Sequence, residues 1–156
     1  MNILNINDRI FKGLHNGMDK FSYNLLVAKF FNQKTALNYL TKFVLADFKK
    51  EVVKKGTKVD VIVAIATRDS NTNIVKAVGK ELAKSAGVPI YQLDKDQKIG
   101  VVLDRFLQRN PGINILLIDD VIYTGKTANL ALKNLSKNKK VGKISFYPFA
   151  KSKSYK

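Results

Sequence analysis

Three short, almost unbroken apolar runs constrain this chain most: Val59–Ala66 (VDVIVAIA), Val88–Leu93 and Ile113–Ile118. A strand with one wet face alternates apolar and polar residues, whereas a strand covered on both faces reads as a continuous apolar run. Between the runs lie stretches with helical spacing. Asn73 caps a helix running to about Ala86, with Ile74, Val78 and Leu82 facing inward and Gly87 ending it. Val101–Leu107 is a shorter helical candidate inside the mixed stretch Asp94–Asn110, and Pro111-Gly112 punctuates before the third run. Beyond a polar loop, Asp119–Lys126, a helix over Thr127–Asn138 leads to a fourth strand, Ile144–Phe149. This alternation predicts an α/β fold: one open, mainly parallel sheet with helices on both faces and the first three strands mutually parallel. Ligands of such sheets bind outside the carboxyl ends of strands, near the point where the strand order reverses. The polar loops Thr67–Thr72 and Asp119–Lys126 fall at such ends.

The first third reads as helical. Phe21–Phe31 places Phe21, Leu25, Leu26 and Phe30 at helical spacing, and Thr35–Lys54 carries Leu37, Leu40, Val44, Phe48 and Val52 on one stripe before Gly56 stops it. At 156 residues the chain has the size of a single domain. Its expected parts are a helical N-terminal part (1–56), an α/β core (57–150) and a basic tail (151–156). The first twenty residues mix Asp8, Arg9, Lys12, Asp19 and Lys20 among apolar ones, so no secretory leader is expected there. No uncharged stretch reaches the roughly 20 residues a spanning helix needs, and no membrane role is expected. With no cysteine, disulfides and zinc–thiolate sites are excluded, which fits a cytoplasmic protein.

The formal net charge of +16 favours anionic partners: nucleotides, polyphosphates, nucleic acid or acidic lipid. No acid follows Asp120, and Lys133, Lys137, Lys139, Lys140, Lys143, Lys151, Lys153 and Lys156 make the last third basic. This is either a solvated basic face or a footprint for single-stranded nucleic acid. Phe146, Tyr147 and Phe149 are read as strand core rather than a stacking surface. His15 is the sole histidine and sits in a polar stretch, so no Ser–His–Asp or Cys–His set can be assembled around a buried base.

The chemistry is concentrated in residues 115–127, ILLIDDVIYTGKT. Four apolar residues bring the chain to a strand end; two carboxylates follow, then a turn and a helix start. Gly125 allows close approach of backbone amides, the helix start adds unpaired N–H groups and a positive dipole end, and Thr124, Lys126 and Thr127 add donors and charge. Asp119 and Asp120 are placed to accept hydrogen bonds from sugar hydroxyls, directly or through Mg2+. A nucleoside-triphosphate loop (GxxxxGK[ST]) needs glycine five positions before Gly125, where Asp120 stands instead, and a carboxylate there would repel phosphate. No GxGxxG is present.

Ile115–Thr127 resembles the signature by which type I phosphoribosyltransferases bind 5-phosphoribosyl-1-pyrophosphate (PRPP). Every position fits except Tyr123, where the family favours Asp, Ser or Thr. The resemblance implies that Asp119 and Asp120 form the catalytic pair holding the ribose hydroxyls, with Mg2+ reaching them indirectly through the substrate. It implies that Tyr123, Thr124, Gly125, Lys126 and Thr127 surround the 5-phosphate. The loop after the first sheet strand then takes pyrophosphate through Thr67, Arg68 and Asp69. Within the family the chain is most similar to the ComF group of competence-associated phosphoribosyltransferases, from about Tyr23 to Phe149, with Asn73 at the group's asparagine. It lacks the four-cysteine zinc module of many ComF proteins, keeps only Arg68 in the basic loop, and has a shortened segment between Leu93 and Ile113, where type I enzymes carry a flexible flap. Two functions follow from the resemblance. One is an enzyme moving a phosphoribosyl group from PRPP to an acceptor with release of pyrophosphate. The other is a non-catalytic PRPP- or nucleic-acid-binding protein of the competence type. A homodimer is compatible with either.

Overall fold

The computed structural model describes residues 3–5, 10–11, 18–66, 74–122 and 124–152. Their strands are β1 (Ile3–Asn5), β2 (Ile10–Phe11), β3 (Val61–Ala64), β4 (Ile90–Gln92), β5 (Ile113–Ile122) and β6 (Val141–Ser152). The helices are α1 (Lys20–Phe31), α2 (Lys34–Phe48), α3 (Ile74–Ala86), α4 (Val101–Arg109) and α5 (Lys126–Ser136). One sheet runs in the order β1-β6-β5-β3-β4, with β2 also on β6, and every pairing in it is parallel. The four strands expected from the sequence are all present in one sheet.

Two apolar layers cover this sheet. On one face Phe21, Leu25 and Ala28 of α1, Ala36, Leu40, Val44 and Phe48 of α2, and Val75, Val78 and Leu82 of α3 pack on Ile62, Ala64, Leu116 and Ile118. On the other, Leu103 and Leu107 of α4 and Ala128, Ala131 and Leu135 of α5 pack on Val61, Val63, Ile115 and Leu117. The alternation of Val61/Val63 against Ile62/Ala64 between the layers is the physical reason for the unbroken apolar runs. Phe146, Tyr147 and Phe149 are buried as strand core.

The structure departs from the sequence reading in four places. Residues 3–5 and 10–11 are strands on β6, so the N-terminal part is not wholly helical, and Lys151 and Ser152 belong to β6 rather than to a tail. Phe30 is 62 % exposed: α1 buries Phe21, Leu25 and Ala28, and Phe30 falls outside that stripe. The second helix changes to a π-turn at Lys49–Val53, which keeps Val52 buried after Phe48. Most relevant here, β5 does not end at Ile118. It continues to Ile122, paired with β6 at Asp119–Pro148, Val121–Ala150 and Ile122–Lys151, so both acids lie within a strand and not in a loop. The Asn73 cap lies outside the described residues.

β3 crosses through α3 to β4 on one side, whereas β5 crosses through α5 to β6 on the other. The order therefore reverses between β3 and β5, and the crevice expected of such sheets opens at their carboxyl ends. Two glycines show how closely the layers approach. A Cβ on Gly79 of α3 would meet the Cδ1 atoms of Ile90 and Ile118 at 2.6 and 2.7 Å, side-chain tips that can turn aside. A Cβ on Gly142 would meet the backbone oxygens of Gly112 and Ile113 at 2.7 and 3.0 Å, which cannot. Gly142→Ala is therefore expected to lower stability by about 1–3 kcal/mol, as overpacking does. Gly79→Ala should fall closer to neutral, because up to about 1 kcal/mol of helix propensity offsets its strain. Urea unfolding of both variants measures the difference.

Candidate functional site

The two acids arrive at the crevice on β5 and are nearly closed off from solvent, Asp119 at 8 % and Asp120 at 7 % exposure. Each turns one oxygen back onto the chain: the Asp120 N–H donates to Asp119 Oδ1 at 2.7 Å, and the Val121 N–H donates to Asp120 Oδ1 at 2.6 Å. The other oxygen of Asp120, Oδ2, lies 2.8 Å from Lys29 Nζ, which reaches it from the last turn of α1. That helix is started by Asp19, whose Oδ1 accepts the Ser22 N–H at 2.7 Å. Burial pushes the Asp119 carboxyl well above the usual carboxylate range. The neighbouring Asp120 charge and a hydrogen bond between the two carboxyls push the same way, against a smaller pull from the Asp120 N–H and Lys29. Asp119 is thus an acid whose ionised form the fold disfavours.

After β5 the chain turns within three residues. Tyr123 lies outside the described residues. Thr124 is exposed and its Oγ1 accepts the Lys126 N–H at 3.3 Å. Gly125 stands at the cap of α5 with φ of +82°, a left-handed conformation that a side chain would strain. Gly125 itself brings no capping side chain, so beyond the Lys126 N–H held by Thr124 the next N–H groups of the first turn are available to an anion. Thr127 and Lys126 are exposed beside it. The structure thus brings Asp119, Asp120, Thr124, Gly125, Lys126 and Thr127 together over one strand–turn–helix. Thr67, Arg68 and Asp69 lie outside the described residues. Ala66, just before them, ends the chain's run alongside β5, where the Ile65 N–H donates to the Ile118 oxygen at 3.1 Å.

Two site-shaping residues were not legible in the sequence. No local signal ties Lys29 to an acid ninety-odd positions later. Gln97 lies in the stretch read as mixed. It is buried, and its side-chain amide clamps the Ala66 backbone from both sides: the Ala66 N–H donates to Oε1 at 2.8 Å, and Nε2 donates to the Ala66 oxygen at 2.9 Å. Asp96 and Gln97 both take left-handed φ values, 60° and 58°, unusual for non-glycine residues. Asn134 of α5 holds that turn by donating to the Gln97 oxygen at 2.8 Å. The end of β3 is thereby tied, through Gln97 and Asn134, to the helix that follows the Thr124–Gly125 turn.

The chemistry of the donor set also bears on metal binding. A divalent ion placed directly on the pair would have to displace Lys29, and among the described residues no group of three or more His, Cys, Asp or Glu could hold a metal. The pair fits an ion that arrives with its own ligands on a phosphorylated substrate rather than a resident one.

No protein-family model matches the chain, and no curated protein sequence matches it. Solved structures do. An adenine phosphoribosyltransferase superposes with a TM-score of 0.51 at 17 % identity, covering 76 % of this chain and 72 % of that one. The Saccharomyces cerevisiae adenine phosphoribosyltransferase, solved with an iminoaltritol bisphosphate and adenine, gives 0.51 at 18 %, over 76 % and 71 % of the two chains. The chain therefore has the fold of type I phosphoribosyltransferases.

A buried carboxyl with a raised pKa binds its proton more readily folded than unfolded. Its effect on stability is felt once the pH exceeds the unfolded value of about 3.9 and grows until the folded value is passed, so stability falls as pH rises through that window. Asp119→Asn keeps the oxygen that accepts the Asp120 N–H but cannot ionise. It is expected to be more heat-stable than the wild type above the window and to show a flatter decline in Tm between acidic and neutral pH. Thermal unfolding across that range tests it; parallel curves for the two proteins contradict it.

Proposed function

We propose that this protein binds PRPP at the carboxyl ends of β3 and β5 and transfers its phosphoribosyl group to an acceptor. The observation that carries the reading is the build of residues 115–127. Two buried acids on a strand are followed by a turn with Gly125 left-handed at a helix start, within a fold whose solved relatives are phosphoribosyltransferases. In this reading Asp119 and Asp120 hold the ribose hydroxyls. Tyr123 through Thr127 hold the 5-phosphate with backbone N–H groups and hydroxyls, and Thr67, Arg68 and Asp69 face the diphosphate. The bisphosphate and base bound by the yeast enzyme have the same two parts, an anionic sugar and an acceptor.

In the transfer, a nucleophilic atom of the acceptor bonds to C1 of the ribose. The C1–oxygen bond breaks and its electron pair leaves with pyrophosphate. Mg2+ carried on the diphosphate would supply charge neutralisation of that leaving group. The protein's own part is to hold the sugar by its hydroxyls and 5-phosphate so that C1 faces the acceptor, and to stabilise charge as it develops. We place the protein in the cytoplasm and nearest the ComF group, with a homodimer as its compatible assembly.

One observation favours a second reading, a non-catalytic PRPP- or single-stranded nucleic-acid-binding protein of the competence type. Residues 94–109, where a flap would lie, form the Gln97 brace and helix α4, which packs Leu103 and Leu107 into the core. A segment so committed has little length left to close over a reaction centre.

Calorimetric titration with PRPP and Mg2+ tests the site. Thr124→Val with Thr127→Val removes two donors to a charged group, each worth about 1.5–3 kcal/mol, so binding should weaken by about tenfold or more. Arg68→Ala should weaken pyrophosphate and PRPP while leaving ribose 5-phosphate nearly unchanged. Neutralising Lys151, Lys153 and Lys156 should leave PRPP binding intact and flatten the salt dependence of any nucleic-acid binding. Loss of PRPP binding in the lysine variant but not in the threonine variant would place the site elsewhere. Pyrophosphate release with a panel of bases decides between enzyme and binding protein.

A further inference from the structure

Two adjacent acids are an awkward receptor for a polyanion. Charges of like sign at close range repel one another and any phosphate nearby, and burial strengthens the repulsion. In this structure the conflict is relieved from both sides. Burial and the neighbouring Asp120 charge disfavour ionisation of Asp119. Asp120 meets the Lys29 ammonium at 2.8 Å through Oδ2, while its Oδ1 is fixed by the Val121 N–H at 2.6 Å. The Lys29 ammonium thus offsets the Asp120 carboxylate by direct contact. Among the described residues, Asp120 and Lys29 are the charged groups whose fields reach Asp119.

We propose that Lys29 is a positioning residue for the sugar: its ammonium neutralises and orients the Asp120 carboxylate, so that two neighbouring acids can receive a vicinal diol beside anionic phosphates. The proposal rests on the reading of Asp119 and Asp120 as the sugar contacts and adds a residue on α1 to that site. Lys29 serves the acid and not the phosphate. A carboxylate offers about four lone-pair sites. One is taken by the Val121 N–H and one by Lys29, which leaves acceptor capacity for a hydroxyl while preventing the group from rotating. The Lys29 side chain is only 26 % exposed and that of Asp120 10 %, so solvent screens the pair less than an ordinary surface bridge.

This role separates ligands that carry a sugar from ligands that do not. Wild type, Lys29→Met, Lys29→Gln and Lys29→Arg are titrated calorimetrically with ribose 5-phosphate, with PRPP and Mg2+, and with pyrophosphate. The Met and Gln variants should bind both sugar phosphates about tenfold or more weakly, the loss expected when a charge-assisted contact is removed. Pyrophosphate binding should be unchanged, and Arg, which keeps the charge, should restore most of the sugar-phosphate affinity. The unliganded proteins supply an independent readout. The carboxyl carbon resonance of Asp119 should titrate at higher pH in the Met and Gln variants than in wild type, because a cation that favours its ionised form is gone. Unchanged sugar-phosphate affinity in those variants overturns the proposal, and so does an equal loss for pyrophosphate, which would make Lys29 a phosphate contact. If wild type binds neither sugar phosphate, the proposed function fails. The carboxyl titration then decides alone: a curve unmoved by loss of the ammonium removes Lys29 from control of the pair.

Discussion

The pairing of β5 with its two neighbours governs where a ligand can sit. With β3 the register ends at Ala64–Ile118, whereas with β6 it continues to Ile122–Lys151. From Asp119 onward, among the described residues, β5 is paired on its β6 side alone. The carboxylates are therefore held on a buried strand that stays paired with β6 past the last β3 pair. A loop in the same place would need further contacts to hold two acids this close.

That placement has an electrostatic cost. Asp119 is buried beside another acid, an arrangement no packing argument favours. The fold meets the cost locally, with the backbone N–H groups of Asp120 and Val121 and the cation of Lys29. A second cost appears at Asp96 and Gln97, whose left-handed backbone is held by Asn134 so that the Gln97 amide can grip Ala66. Strain of this kind persists where the surroundings over-determine it, and here it borders the crevice.

Much of this was legible in the chain. Unbroken apolar runs identified β3 and β5, because burial on both faces removes the need for polar residues. The candidate phosphate turn was legible because Gly125 and the adjoining threonines mark a turn and helix start by composition alone. The strand end was misjudged because a charged residue ordinarily marks the limit of burial, whereas these acids are buried on adjacent backbone N–H groups and, for Asp120, on a lysine from α1. Lys29 and Gln97 escaped for the same reason. Their roles depend on residues brought near by the fold, and neither carries a local pattern. β1 and β2, at three and two residues, are too short for periodicity to register and exist only because β6 offers an edge.

The pairing of β1 with β6 has a consequence for how the chain is made. Ile3 lies opposite Ile144, and Ile10 opposite Lys151. During synthesis the first strand emerges long before the edge it joins, and nothing on the ribosome can receive it until residues 141–152 have followed. Its closure is among the most distant in the sequence and carries the slow kinetics of non-local pairing. Until then the outer edge of β6 presents unpaired backbone to other chains. Pairing with β1 and β2 covers that edge at Ile144–Phe146 and Lys151–Ser152.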